Sequence, residues 1–302
     1  LREGPNERKI VFSGDVGNND QPIINDPSSV DDTDYLVMES TYGSRNHERH
    51  TDTIDVLASY IERTLERGGN VIIPSFAVGR TQELLYAIRE IKDASFPVYI
   101  DSPLAIEATK IFENCDIVNF DAETRMLIEK GVDPLYFENL HLAVTVDESK
   151  LINETPESKV IISASGMCEA GRIRHHLKHN LWRPQNLILF VGYQAEGSLG
   201  RMLIEGVPNV KLFGEDIAVR AEIRSLKGTS GHADQAGLIN WLGSFKEKPK
   251  TVFLNHGNEE SIEVLRDELK ERGYAVETPY SGTEYDLITG AMTAYVEKKR
   301  VS

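Results

Sequence analysis

The chain holds 302 residues, 33 of them Lys or Arg and 48 Asp or Glu, so its formal net charge is −15. With 40% hydrophobic and 27% charged residues it reads as a globular protein rather than a fibrous or low-complexity one, and at about 150 residues per domain it has room for two cores. The acidic balance excludes a surface coated in non-specific nucleic-acid affinity, while a local basic cleft stays open. The longest apolar stretches, such as Leu187 to Val191, are far shorter than the roughly 20 residues of a membrane helix, and nothing like a signal peptide opens the chain. Two cysteines, Cys115 and Cys168, give neither a disulfide framework nor a Cys-based zinc pattern. A cytoplasmic protein is expected, with no membrane partner.

The chain opens on Leu1 and reaches an apolar run, Lys9 to Ser13, almost at once, as a sequence entered midway would. Val71 to Phe76 then leads through Gly79-Arg80 into a helical period with Leu84, Leu85, Ile88 and Ile91 on one face. Val160 to Ser165 leads through Gly166 to Gly171 into a helix over 172–181, and Leu187 to Gly192 leads into one over 199–204. Thr251 to Asn255 turns at His256-Gly257 into a helix over 261–272 that Gly273 stops. Strand followed by helix, repeated, means an α/β fold. The stretch 116–159 reads as a polar connection, and the flanks hold short strands at 275–277 and 293–296. Such a tempo predicts a domain over 46–215 inserted between two segments of another, 1–45 and 216–302.

A Gly-Arg pair stands at the predicted start of three helices: Gly79-Arg80, Gly171-Arg172 and Gly200-Arg201. Helix N-termini offer unpaired N–H groups, glycine allows close approach, and arginine grips phosphate with two bonds, so these ends could follow a nucleic-acid backbone. Turn chemistry explains each pair equally well. Asp15, Glu39, His232 and His256 each follow, or lie in a loop beyond, a predicted strand, where α/β proteins gather ligands. Carboxylates with imidazoles suit zinc- or manganese-assisted hydrolysis, although each residue alone is also a common turn or surface residue.

Five segments in order, Phe12 to Asp15 (FSGD), Glu39 to Gly43 (ESTYG), Ser163 to Met167 (SASGM), Gly231 to Asp234 (GHAD) and Leu254 to Gly257 (LNHG), resemble the metallo-β-lactamase-fold nucleases that carry a β-CASP insertion. The segments Pro74 to Arg80 and Arg172 to His179 point to the bacterial and archaeal branch. The resemblance implies a partial αββα sandwich with an inserted Rossmann-like β-CASP domain. It implies a zinc-dependent ribonuclease that leaves 5′-phosphate and 3′-hydroxyl ends, in RNA processing or decay. Asp15 would bridge two zinc ions, His256 would bind one of them, and His232, held by Glu39, would protonate the leaving oxygen. Ser75, Arg80, Ser165, Gly166, Arg172 and Lys227 are the implied RNA contacts, mainly to phosphates, so affinity should fall steeply with salt. A homodimer is left open.

One departure is large. The family's His-x-His-x-Asp-His motif should precede FSGD, and none of the eight histidines, 47, 50, 141, 175, 176, 179, 232 and 256, supplies it. The zinc site is therefore expected to be incomplete in this chain, which reads as a fragment inactive alone. The alternative is a non-catalytic RNA-binding or scaffolding paralogue.

Overall fold

The structure is a computed structural model that describes residues 1–3, 5–47, 53–91, 95–226 and 230–295. Strands Val71–Pro74, Val160–Ser163 and Leu187–Phe190 are buried at every position, so they need cover on both faces. They form the centre of a six-stranded parallel sheet ordered Glu222–Ser225, Leu187–Phe190, Val71–Pro74, Val160–Ser163, Val98–Ile100, Leu140–Leu142. Successive side chains point to opposite faces. Val71, Ile73, Val160 and Ile162 join Leu57 and Ile61 of helix Thr53–Glu66 and Leu85 and Ile88 of helix Arg80–Arg89. Ile72, Ile161, Ile188 and Phe190 join Ile173 and Leu177 of helix Ile173–Asn180 and Leu203 of helix Leu199–Ile204. The sheet is thus wound on both faces, as the sequence predicts.

The turn that feeds its central strand depends on a missing side chain. A Cβ at Gly69 would lie 1.9 Å from the Gln185 carbonyl oxygen, a backbone atom with little freedom to move. Gly69→Ala is expected to cost about 1–3 kcal/mol by overpacking. A urea-unfolding midpoint equal to that of the parent would contradict it.

The second sheet has four parallel strands ordered Val276–Glu277, Thr251–Asn255, Tyr35–Glu39, Ile10–Phe12. Val11, Leu36, Met38, Val252 and Leu254 form one face, packed with Leu238 and Leu242 of helix Gln235–Gly243 and with Leu265 and Leu269 of helix Glu259–Glu271. On the other face Ile10, Phe12, Tyr35, Val37 and Phe253 line a cavity of about 550 Å³ with residues from Pro279 to Leu287. One sheet layer and one helix layer of a sandwich are present here.

Contacts divide the chain into a unit of residues 1–21, 26–47 and 231–302 and a unit of 22–25 and 48–230. Residues 216–230, expected to belong with the returning segment, group with the larger unit because Glu222–Ser225 pairs in parallel with Leu187–Phe190. The stretch 116–159 is more than a polar connection. Asp121 caps helix Ala122–Glu129, and Thr145 with Glu148 forms a capping box on helix Val146–Glu154. Strand Leu140–Leu142 lies between these helices. Among the described residues no helix is long and apolar enough to cross a membrane.

Candidate metal centre

Three parallel strands bring the distant candidates together. Phe12 stands beside Val37, and Asn255 beside Glu39, so the carboxyl ends of all three strands meet at one edge. Past Phe12 the chain folds over that edge: the Ser13 N–H donates to the Val37 carbonyl, the Glu39 N–H donates to Ser13 Oγ, and the Val16 N–H donates to Glu39 Oε1 at 2.6 Å. Gly14 takes φ 57°, which aims the chain so that Asp15 is left exposed.

Ser40 and Thr41 hold the loop after the third strand. The Ser40 N–H and the Thr41 hydroxyl donate to the His256 carbonyl, and Ser40 Oγ donates to the Asn255 carbonyl at 2.8 Å. His256 itself takes φ 50°, and a Cβ at Gly257 would lie 2.5 Å from Ser40 Oγ. The GHAD loop is fixed as firmly. The Ala233 N–H donates to the Val16 carbonyl, Asp234 caps helix Gln235–Gly243, and His47 Nε2 donates to the His232 carbonyl at 3.0 Å. His47 has a role that the sequence reading did not assign.

His256 Nε2 lies 3.7 Å from Asp15 Oδ1, and the rings of His232 and His256 are 5.7 Å apart. Asp15, His232 and His256 each present a ligand atom within 4.8 Å of the other two. His232 Nδ1 lies 3.0 Å from Glu39 Oε2, and the Glu39 side chain is only 1% exposed. Burial pushes the Glu39 carboxyl up, but the bond and charge of His232, the nearby Thr41 hydroxyl dipole and the Val16 N–H overcome it and hold the group below its ordinary range. The same bond to Glu39 raises His232 above the usual imidazole value, against the opposing effect of burial and with help from the charge of Asp15.

Two imidazoles and a carboxylate are the donor set of a catalytic zinc site, which takes three protein ligands and leaves one position open. The cluster therefore fits one zinc-class ion. No further carboxylate, histidine or cysteine among the described residues joins it to hold a second.

In the larger unit the carboxyl ends of strands Val71–Pro74 and Val160–Ser163 lead into the loops that carry most of the proposed RNA contacts. Ser75 is buried, bonded to Thr81 and to the Phe76 carbonyl. Gly166 is buried, and a Cβ there would meet the Phe76 ring at 3.0 Å. Ser165 Oγ accepts from the Ala170 N–H. Arg80 is ion-paired with Glu83, and Arg172 bonds Asp101 Oδ1 at 2.7 Å and the Ala143 and Val144 carbonyls, so neither guanidinium is free as the sequence suggests. Gly200-Arg201 does not open its helix: Ser198 is the cap, and Arg201 pairs with Glu205 one turn on. Lys227 lies outside the described residues. Gln194, unassigned from sequence, donates to the Gly166 carbonyl and ties a third loop to this cluster.

A doubly wound parallel unit placed between two segments of a smaller α/β unit, with carboxylate and imidazole donors at the latter's strand ends, defines a metallo-β-lactamase-fold protein with a β-CASP insertion. Comparison agrees: a Beta-Casp domain model matches residues 81–203, and a model described as a Zn-dependent metallo-hydrolase RNA specificity domain matches 216–279. The chain belongs to this family. It is 37% identical to Ribonuclease TTHA0252 of Thermus thermophilus over 271 residues, covering 89% of this chain and 62% of the relative. It is 34% identical to Transcription termination factor FttA of Pyrococcus abyssi, covering 74% of this chain and 36% of the relative. It is 33% identical to an RNase J-like protein of Methanocaldococcus jannaschii, covering 83% and 58%. The chain thus spans between about a third and two-thirds of each of these relatives.

Proposed function

We propose that the protein carrying this chain is a zinc-dependent ribonuclease that hydrolyses RNA phosphodiester bonds to 5′-phosphate and 3′-hydroxyl ends. The observation that supports this reading is the bond between His232 Nδ1 and the buried Glu39 carboxylate, beside Asp15 and His256. Asp15 and His256 are the proposed metal donors. A bound zinc ion would supply electrophilic stabilisation of the phosphate and acidify water. Glu39 keeps a proton on His232 Nδ1 and fixes the ring, so that Nε2 is left to deliver a proton to the departing 3′ oxygen. The Thr41 hydroxyl donates to the His256 backbone carbonyl at 3.1 Å and lies 3.4 Å from His232 Nδ1. Ser75, Ser165, Gly166, Arg80, Arg172 and Lys227 remain the proposed RNA-binding set, with the two arginines shaping their loops through Glu83 and Asp101.

With two of the three clustered groups, Asp15 and His256, as donors and His232 kept for the proton, this chain alone should hold an ion weakly and cleave slowly or not at all. A purely binding role has no use for a buried carboxylate held against an imidazole beside metal donors. The test is cleavage of an end-labelled RNA by the longest natural product, with analysis of the ends. Products with 2′,3′-cyclic phosphate ends, or a rate unaffected by Asp15→Ala, would overturn the proposal.

A further inference from the structure

Ile173, His176, Leu177 and Asn180 are buried in helix Ile173–Asn180, so its outward positions are Arg174, His175, Lys178 and His179. The chain continues with Trp182 and Arg183, and no carboxylate falls on this face. Lys178 pairs with Glu215 at 2.6 Å. Glu215 belongs to the hairpin Asn209–Leu212 with Glu215–Ala218, whose turn residues Phe213 and Gly214 have φ 51° and 84°. That turn displays Phe213, half exposed, against His175, with ring centroids 4.4 Å apart.

Both arginines lie on rings. The Arg174 guanidinium is 5.3 Å from the centre of Phe213, and that of Arg183 is 4.9 Å from Trp182, which is half exposed. Neither forms an ion pair among the described residues, and the Nε of each is buried without a partner. Arg174 Nη1 donates to the Glu169 carbonyl at 3.2 Å; in a chain with 48 acidic residues against 33 basic ones, two guanidiniums held on exposed rings with no ion pair among the described residues make a local exception. Arg174 to Asn180 spans about 9 Å along the helix axis, and Trp182 follows in the turn beyond.

We infer that this face is an accessory binding surface for single-stranded RNA, with Trp182 stacking a base and Arg174 and Arg183 gripping phosphates. Alternating rings and cations are how proteins hold single strands without reading sequence. The track begins two residues beyond Arg172 and runs toward Leu187, where the next strand starts. A strand leaving the loops at the carboxyl edge of the sheet would continue along it. The choice of RNA rests on the function proposed above; the stacked cations do not.

The test is titration of a 12-residue oligouridylate, end-labelled for anisotropy, with the protein and chelator, followed by tryptophan fluorescence for stacking and by anisotropy for affinity. The only other tryptophan, Trp241, is in the other unit, bonded to the Ser28 carbonyl. Saturable quenching is expected. Trp182→Ala should abolish it and weaken binding about 5- to 150-fold, the loss of one stacked base. Arg174→Gln with Arg183→Gln should flatten the log–log salt dependence by about 1.4, for two phosphates at roughly 0.7 each. Unchanged affinity in both variants would overturn the inference, as would equal affinity for inorganic polyphosphate. Trp182-dependent binding to anionic vesicles, or a Trp182-dependent dimer without RNA binding, would overturn it in favour of those partners. Because the readout is binding without metal, its failure leaves the cleavage proposal standing, and absence of cleavage leaves this inference standing.

Discussion

Replacing His232 by Ala is expected to slow RNA cleavage about 10²- to 10⁴-fold, the usual contribution of a general acid, while zinc binding to the protein persists. The expectation separates two readings of one imidazole, since His232 is both a potential third donor and the proposed proton source. The bond to Glu39 supports the second. Glu39 is held ionised against the effect of burial by His232, Thr41 and the Val16 N–H, so Nδ1 carries a proton, and the bond to Glu39 raises His232 above the ordinary imidazole value. A protonated ring can donate but cannot bind a metal. The protonated form is present at low pH and is lost as pH rises through the raised value, so the alkaline limb of kcat/KM should report His232. Glu39→Gln removes the main cause of that rise and should move the limb to lower pH. Isothermal titration with zinc, beside single-turnover cleavage from pH 5 to 9, checks both parts. If His232→Ala abolishes zinc binding along with cleavage, the ring is a ligand and its assignment as proton donor falls.

The elements of this fold were legible where periodicity is strong. Val71 to Pro74 and Val160 to Ser163 announce buried parallel strands, and Asp15, Glu39, His232 and His256 each follow or lie near a strand end. What joins them is register: only the pairing of Phe12 with Val37 and of Asn255 with Glu39 makes neighbours of residues at opposite ends of the chain. The partners of the arginines were hidden for a related reason. A guanidinium after glycine looks free in sequence, but Asp101 meets Arg172 from 71 positions away. Two local signals were readable and outweighed: Glu83 stands three residues after Arg80, the spacing of a helical ion pair, and Ser198 is a better helix cap than Gly200. His47 gave no signal, since its bond to the His232 carbonyl spans 185 positions.

Asp101 is where the larger unit should be most sensitive to one substitution. It follows strand Val98–Ile100 and looks like an ordinary turn residue before the Ser102 cap and Pro103. Its side chain is fully buried and collects three donors: Arg172 at 2.7 Å, His176 Nε2 at 2.6 Å and the Ser149 hydroxyl at 2.5 Å. Through Arg172 and His176 it ties helix Ile173–Asn180 to the edge of the sheet, and through Ser149 it holds helix Val146–Glu154. Burial pushes its carboxyl up, yet the His176 and Ser149 hydrogen bonds, the His176 charge and Arg172 bring it below the ordinary aspartate range. Removing one partner of a buried ionic cluster leaves the others desolvated and unpaired, so Asp101→Ala is expected to cost about 3–5 kcal/mol. At about 2–4 °C per kcal/mol for a unit of this size, the melting temperature should drop by roughly 6–20 °C. The sign with pH follows from the lowered pKa: the contribution is complete above the unfolded aspartate value and disappears as pH falls through the folded one. Denaturant midpoints from pH 7 to pH 2 should therefore converge for parent and Asp101→Ala at the acid end. A constant gap across that range would mean that the loss is one of packing and that the charge of Asp101 contributes nothing to the fold.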